Sequence, residues 1–522
     1  MAELSQESKA LLSALDLKEV CESERYKRLA KLEAYGTGRQ YAGCKYNWDG
    51  DVEYSDAVIA PGYYVRHKQR RPSYRVGMTQ TCVAKLTDFA IAEDRLPEIS
   101  VPGDQEAETF VRSMATEAYA VQSLIESRGY GGVAGAVMLS FAFVDGTPCI
   151  EVHKSIELTV LKWGDLRLGK DPNCVLKVRK FTRKVGKDQK EFWYLRYWSA
   201  TEEAIAEVPC EGYNAQTWML TTQWVVVEHG CGDCPCVWIQ NGKDEDPDGC
   251  PDLSDDSREN SENLDRLLSA TLKGTIANVD PTLVIHMDPA TNPGTVRKGS
   301  DNAIFSQQGA QYLELSGTAV EAGLTKAKAI AKTVLDQAGV VLPDQERLTA
   351  NASSGEALKL LYKPMMARCD KLRTQYGQHG LQRLLVAMLR AAKKLGGGVV
   401  LPPKLVTTRG KNGEVLSVTE KPVTPGKSER VTVTWPPYFT PTASDAAAVV
   451  NAALLARNKL ISPKTAIQAV QNLGIFQIKD PEQEYADILA AREMEMELLG
   501  LEDEPGATGD GPPAKDSGGE EE

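Results

Sequence analysis

The hydrophobic and polar positions of this chain change period several times, and those changes divide it into elements. Residues 22–35 and 105–129 carry apolar side chains at three- and four-residue spacing, with Phe110, Met114, Ala118, Val121 and Ile125 forming one helical stripe in the second stretch. Residues 66–95 fit neither period. From residue 131 the string GGVAGAVMLSFAFVDGTPCIEVHKS reads as a glycine hinge, an apolar strand, an Asp-Gly turn and a returning strand. Strands are also predicted at 175–183, 191–198 and 222–228, and CVWIQ alternates as a buried strand would. In the second of these, Phe192, Tyr194 and Arg196 alternate against Trp193, Leu195 and Tyr197. The middle of the chain is therefore expected to form a mixed sheet domain.

Helical spacing returns at 258–276, where Leu264, Leu267, Leu268 and Leu272 share a side. TLVIHMDP, the Gly-rich KGSDNAIFSQQGA and YLELSG then read as short strands of a small insert before a second helix at 318–338. That helix places Leu324, Ala327, Ile330, Ala331, Val334 and Leu335 on one face, with Lys326, Lys328 and Lys332 bordering or opposing it. The small alanine side chains suit close packing, either in a barrel of identical helices or in the core of a monomer.

Ser353–Lys394 reads as one very long helix, opened by the capping-box pair Ser353 and Glu356 and stopped at Gly396–Gly398. Fully helical, it would span roughly 60 Å at about 1.5 Å per residue. Pro364 lacks a donor and clashes with the carbonyl four residues back, so a kink is expected near Lys363, and Gly377 and Gly380 weaken the middle again. Two helices broken at 377–380 are the other reading. A strand-like zone beyond 399 ends at VTVTWPPYF. Residues 444–460 form a helix capped by Ser444, and Ser462-Pro463 starts another as cap and first helical residue. The order of elements predicts an α+β fold.

Length and charge narrow the reading. At 522 residues the chain is long enough for two to four domains. No run of about 18 uncharged apolar residues is present to span a bilayer, so no membrane partner is expected. The opening MAELSQESKALLSALD carries acids and lacks a basic region followed by an apolar core, so no secretory leader is predicted. The eleven cysteines are expected to be reduced. Of the net charge of −12, residues 501–522 hold eight acids against Lys515 alone. That tail, within 499–522, is almost devoid of apolar residues and is expected to be disordered. The remaining near balance disfavours a tight sequence-specific DNA binder and leaves nucleic-acid contact to local patches.

Catalytic signatures are missing from the sequence. There is no GxxxxGK[ST] phosphate loop, no HExxH and no GxSxG, and His67, His153, His229, His286 and His379 are scattered. An enzyme is not expected, and neither is a cofactor. Two strings invite a metal hypothesis. Cys231, Cys234 and Cys236, flanked by Cys210 and Cys250, form half of a zinc site. Asp244, Asp246, Asp248, Gly249 and Asp255 match positions 1, 3, 5, 6 and 12 of a calcium loop, with Asp252 at position 9. Aspartate at position 12 and Pro251 depart from that pattern. Reduced core cysteines and a solvated acidic loop are the competing readings.

Three strings together resemble the portal protein of tailed bacteriophages, the head-to-tail connector: DLSDDSRENSENLDRLLSATL, SSGEALKLLYKPMMARCDKL, and WPPYFTPTASDAAAVVNAALLARNKLISPKTAIQAV with the following DPEQEYADIL. The resemblance covers roughly residues 20–498. It implies a closed ring of this chain, ordinarily of twelve subunits, at one capsid vertex, around a channel through which double-stranded DNA is packaged and ejected. It also implies docking to the terminase large subunit, a head-tail adaptor and the capsid or scaffolding protein, with the ring in the virion and, during assembly, in the host cytoplasm. The implied parts are a mixed α/β wing at 1–257, stem helices at 258–276 and 318–339, and a small α/β clip at 277–317. A tunnel loop at 340–352, a long kinked helix with wing return at 353–440 and a helical crown at 441–498 complete them. Within that frame Lys326, Lys328 and Lys332 are the leading DNA-channel candidates, followed by Arg347 in the tunnel loop and Arg297 with Lys298 in the clip. Packaging would draw on a separate ATP-hydrolysing terminase. The alternatives are a capsid or scaffold interaction protein without a DNA channel, and a metal-dependent nuclease using the aspartate or cysteine strings.

Overall fold

The computed structural model describes residues 3–44, 46–47, 70–92, 95–164, 171–186, 188–279, 283–285, 304–305, 310–312, 318–342, 355–396, 398–409, 415–439, 443–458, 460–473 and 481–498. The chain divides into two compact units, Met1–Tyr438 and Phe439–Glu522.

The first unit opens with three short helices, each started by a side chain that accepts an orphan amide. Ser5 caps α1 (Gln6–Ser13), Asp16 caps α2 (Leu17–Glu22) and Ser23 caps α3 (Glu24–Gly36). A two-residue parallel pair, β1 (Tyr46–Asn47) and β2 (Arg70–Arg71), precedes α4 (Met78–Ala90), which resolves the ambiguous 66–95 stretch. After β3 (Glu98–Ser100), the helix expected at 105–129 is in fact two, α5 (Gln105–Glu117) and α6 (Ala120–Ala134). Tyr119 between them takes a left-handed φ of 50°. Past this break the stripe rotates: Leu124, Ser127 and Arg128 are buried, whereas Val121 and Ile125 are half-buried.

Gly135 ends α6 and releases the predicted hairpin of β4 (Ala136–Val144) and β5 (Thr147–Lys154). Its turn residues, Asp145 and Gly146, both have positive φ, the twist that a two-residue hairpin favours. Next come β6 (Leu158–Trp163), β7 (Pro172–Val185), β8 (Asp188–Trp198), β9 (Glu202–Pro209), α7 (Trp218–Thr221), β10 (Val225–Glu228) and β11 (Cys236–Gln240). They build a five-stranded sheet ordered β10-β9-β8-β7-β6 and a three-stranded sheet ordered β11-β4-β5. Every pairing in both is antiparallel, which corrects the mixed sheet expected here. One face of the larger sheet packs Leu176, Leu195 and Tyr197 against Leu12, Leu17 and Trp218. Val175 and Trp198 join Met138 and Trp238 of the smaller sheet in a second cluster. At about 1.5–3 kcal/mol for each fully buried large side chain, Leu12 and Leu17 contribute to holding the short amino-terminal helices on the sheet.

The second half returns to helix. α8 (Asp255–Val279) and α9 (Thr318–Ala338) bracket a small sheet in which β12 (Leu283–Ile285) pairs parallel with β13 (Ile304–Phe305) and antiparallel with β14 (Ala310–Tyr312). The long helix follows as α10 (Gly355–Arg373), a π-helical segment at Thr374–Gln382 and α11 (Arg383–Leu395). Helix runs unbroken through Pro364, so of the bend or break expected near Lys363 the break is absent. Leu360, whose carbonyl loses its partner, lies on an exposed side where water can replace it. The irregularity falls ten residues later, at the glycines. A Cβ on Gly377 would stand 2.6 Å from Trp435 Nε1, and one on Gly380 would stand 2.6 Å from Ile239 Cδ1. Close approach of these two side chains explains why glycine occupies both positions. β15 (Lys404–Arg409) and β16 (Val415–Lys421) form a hairpin, and β17 (Thr432–Thr434) pairs with β3.

The second unit holds α12 (Ala443–Arg457), α13 (Pro463–Leu473) and α14 (Pro481–Leu498). Ser462 caps α13 as expected, accepting from Thr465 N at 3.1 Å. Ser444 instead lies inside the first turn of α12. The molecule is thus an α+β protein, and no helix among its described residues is long and apolar enough to cross a membrane.

Candidate nucleic-acid interface

α8 and α9 run antiparallel in one register. Ser257 Oγ donates to Gln337 Oε1 at 2.7 Å, a Cβ on Gly323 would meet Thr271 Oγ1 at 2.7 Å, and one on Gly274 would meet Val320 at 3.5 Å. Small residues at the crossing bring the helices close, with Leu264, Ala327 and Val334 buried along the seam. Ser254 caps α8 and moves its start ahead of residue 258.

The leucine stripe predicted for α8 is only partly its buried face. Ser257, Arg258, Ser261, Asp265 and Ser269 are buried, held by Tyr41 Oη on Asp265 at 2.9 Å, Val76 N on Asp265 at 2.9 Å and Tyr74 N on Ser269 Oγ at 3.0 Å. Leu267 and Leu268 are half-buried, while Leu272 and Ile276 are 39% and 58% exposed. On α9, Leu324 of the predicted apolar face is 44% exposed. Taking about 100° per residue and the register above, Leu272 and Leu324 lie on the same broad side of the helix pair, with Ile276 at its margin.

Lys326, Lys328 and Lys332 are exposed, and none has an ion-pair partner among the described residues. They do not form one set. Lys328 and Lys332 are roughly 40° apart: Lys328 is turned roughly 100° from the buried Ala327, beside Leu324, and Lys332 roughly 140°, toward the edge of α9 that points away from α8. Lys326 is roughly 120° or more from both, on the broad side opposite Leu272. Lys273 of α8, also exposed, lies roughly 160° from the seam residue Thr271, at the edge of α8 that points away from α9. Sequence reasoning passed over it because a single lysine among small and hydroxyl residues leaves no periodic mark. Arg297, Lys298 and Arg347 lie outside the described residues, as do Ser353 and the acidic tail at 499–522.

Neither metal string is assembled as one. Among the described residues no group of three or more His, Cys, Asp or Glu side chains is placed to hold an ion. The acids of the loop at 244–256 face arginines instead. Asp248, almost fully buried, accepts from Arg25 and from Arg28 at 2.6 Å each, Asp246 accepts from Arg28 at 2.9 Å, and Asp255 pairs with Arg258. Asp252 accepts from the fully buried Arg128 at 2.7 Å and from Asn241 at 3.0 Å. Asp244 accepts from the Cys250 thiol at 3.5 Å. Asp246, Asp248, Asp252 and Asp255 thus form ion pairs inside the first unit, where sequence suggested a solvated loop or a calcium site.

The cysteines scatter similarly. Cys236 is buried in β11, and burial, with the neighbouring Cys234 thiol, raises its own thiol. Cys231 bonds to the His229 carbonyl at 3.6 Å, and burial pushes its thiol up to about 11. Cys210 packs against the sheet core, and Cys250 is exposed beside Asp244.

One serine–histidine contact escaped the sequence. Ser140 Oγ lies 2.8 Å from His153 Nε2, but His153 Nδ1 faces Lys177 Nζ at 3.2 Å, a donor where a catalytic carboxylate would be needed. Both side chains are about 2% exposed, and burial together with Lys177 and Arg196 lowers the imidazole to about 3. The lysine fixes a neutral ring that donates to the serine, the reverse of nucleophile activation.

Comparison with known protein families returns no match, and comparison with curated proteins returns none.

Proposed function

We propose that this chain is a portal protein: the subunit of a closed ring, a dodecamer by resemblance, through which double-stranded DNA enters and leaves a phage capsid. In that reading α8 and α9 are the stem, the small β12–β14 sheet between them is the clip, the α10–π–α11 rod is the long helix, and α12–α14 are the crown. The rest of the first unit is the wing. The observation that carries it is the two-sidedness of α8 and α9: polar groups are buried at the body end, while Leu272, Ile276 and Leu324 are left in solvent. Apolar side chains repeated on an outer face of stiff helices are what a neighbouring copy would cover. A contact from one face of each copy to a different face of the next closes only by rotation, hence a ring.

DNA in such a channel must be held yet slide. Lysines that meet phosphates without reading bases fit that requirement, and cyclic repetition multiplies a few unpaired charges into a basic band inside an otherwise acidic protein. The ring would serve as the platform for a terminase large subunit, a head-tail adaptor and the capsid or scaffolding protein, with ATP hydrolysis supplied by the terminase.

Native mass spectrometry with end-on electron imaging of the purified chain tests this. A closed ring with a central opening wider than about 20 Å, the scale of a duplex, is the expected result. A monomer at packaging-compatible salt overturns the proposal, and an oligomer without an opening favours a capsid or scaffold interaction protein.

A further inference from the structure

The free edge of the five-stranded sheet is not uniform. β9 runs from Glu202 to Pro209, but β10 covers only Glu202–Ile205, so Ala206–Pro209 have no outer neighbour. The cause is local. Trp224, immediately before β10, is drawn against the core beside Trp218, with ring centroids 6.5 Å apart, and the chain leaves the sheet plane instead of extending β10. A groove of about 710 Å³ remains, floored by Glu207 and Val208 and walled by Tyr213, Thr217, Trp218 and Val225.

The exposed backbone in that groove can be identified. Cys210 N–H bonds to Glu191 O on β8, and antiparallel strands alternate, so the residues two and four back also bond toward β8. Glu207, between them, directs both its N–H and its C=O into the groove. Among the described residues no hydrogen bond to its amide is made by another backbone or side-chain group. Pro209, next on that side, offers a carbonyl only. Four residues at about 3.3 Å each make a slot suited to three or four residues of an extended chain.

We infer that this groove binds an extended segment of a partner polypeptide, which adds to β9 as a short strand in line with β10. The occupant must supply a backbone donor and acceptor at strand spacing, which a peptide does and a small solute does not. Its side chains must be uncharged or small. Around the slot the walls are aromatic, aliphatic, hydroxyl or, at Asn214 and Gln223, amide, and the carboxylate of Glu207 is already engaged by Arg183 at 2.9 Å. No cation lines the groove, so a nucleic-acid strand is a poor match. Leu220, 85% exposed, and Val225 and Val227, each 58% exposed, extend the contact beyond the slot. Unlike the ring, this site makes no demand on α8 or α9.

A displayed library of random ten-residue peptides, selected against the full chain, tests the inference. Enriched peptides should carry alternating β-branched residues, and their binding should survive Glu207→Ala, which keeps the amide, but fall at least tenfold in Glu207→Pro, which removes it. Proline already stands two residues on in the same edge strand, so the variant is expected to fold, and unchanged circular dichroism and oligomer mass confirm that. Protection of the Glu207 amide from hydrogen exchange on adding a selected peptide completes the case. Equal binding to both variants, or no peptide selected, overturns the inference. Glu207 protection that appears on self-association without peptide overturns it in favour of a second copy as the occupant.

Discussion

His153 shows what a buried titratable group costs. Its folded value of about 3 lies far below the ordinary 6.5, so on acidification the unfolded chain takes up a proton that the folded chain refuses. The neutral ring contributes its stability fully above about pH 6.5, and the contribution is lost as pH falls from there toward 3, at about 1.4 kcal/mol per unit. Burial lowers His229 and His379 as well, so part of the acid sensitivity is theirs. His153→Gln is expected to flatten, without abolishing, the decline in urea midpoint between pH 6.5 and 4.5. An unchanged slope would show that the ring is protonated in the folded state. A second residue-scale case is Gly132, where an added Cβ would stand 2.1 Å from Arg128 Nη1 and 2.6 Å from Asp252 Oδ2. Gly132→Ala should cost about 3–5 kcal/mol, the range for breaking a buried ion pair, measured by chemical denaturation. Neither the Ser140–His153 contact nor the Arg128–Asp252 pair was legible in the sequence, because both join residues more than a dozen positions apart through topology. Arg128 falls on the helical stripe continued from α5, where an apolar side chain is the ordinary occupant.

At the scale of elements the sequence was most readable where a period ran long. The β4–β5 hairpin, β7, β8, α9 and the Ser462 cap stand where alternation, turn chemistry and capping put them. β6 and β9 were missed: β9 is EEAIAEVP, whose small and acidic residues give a weak strand signal until the neighbouring strands cover Ala204 and Ala206. The rod from α10 to α11 behaves differently at its two expected weak points. Pro364, the stronger breaker on propensity, leaves the helix intact, whereas the glycines mark the π segment because Trp435 and Ile239 press on them. Gly377→Ala is therefore expected to destabilise the chain by about 1–3 kcal/mol through overpacking, although alanine is the better helix former. A rise in thermal midpoint would mean that Trp435 moves aside and the π segment reverts to regular helix.

For the whole molecule, the proposed ring assigns different work to different sides of α8 and α9. The broad side with Leu272 and Leu324 is the lateral contact, so Leu272→Glu with Leu324→Glu should leave circular dichroism unchanged and shift the native mass toward monomer. Broad sides facing neighbours leave the edges of the helix pair to point inward and outward. Lys332, toward the edge of α9 away from α8, and Lys328, between that edge and Leu324, are then the lysines that meet DNA, while Lys326 falls at a subunit boundary on the opposite side. This divides a trio that sequence spacing treated as one, and the division is testable by salt. Affinity for DNA falls with salt in proportion to the phosphates neutralised, so Lys328→Ala with Lys332→Ala should weaken retention of duplex DNA and make its salt dependence shallower. Lys326→Ala should leave that slope unchanged, with any effect appearing in ring mass. If the slope instead responds to Lys326 and not to the pair, the helices are turned the other way in the ring, with the side carrying Lys326 toward the channel.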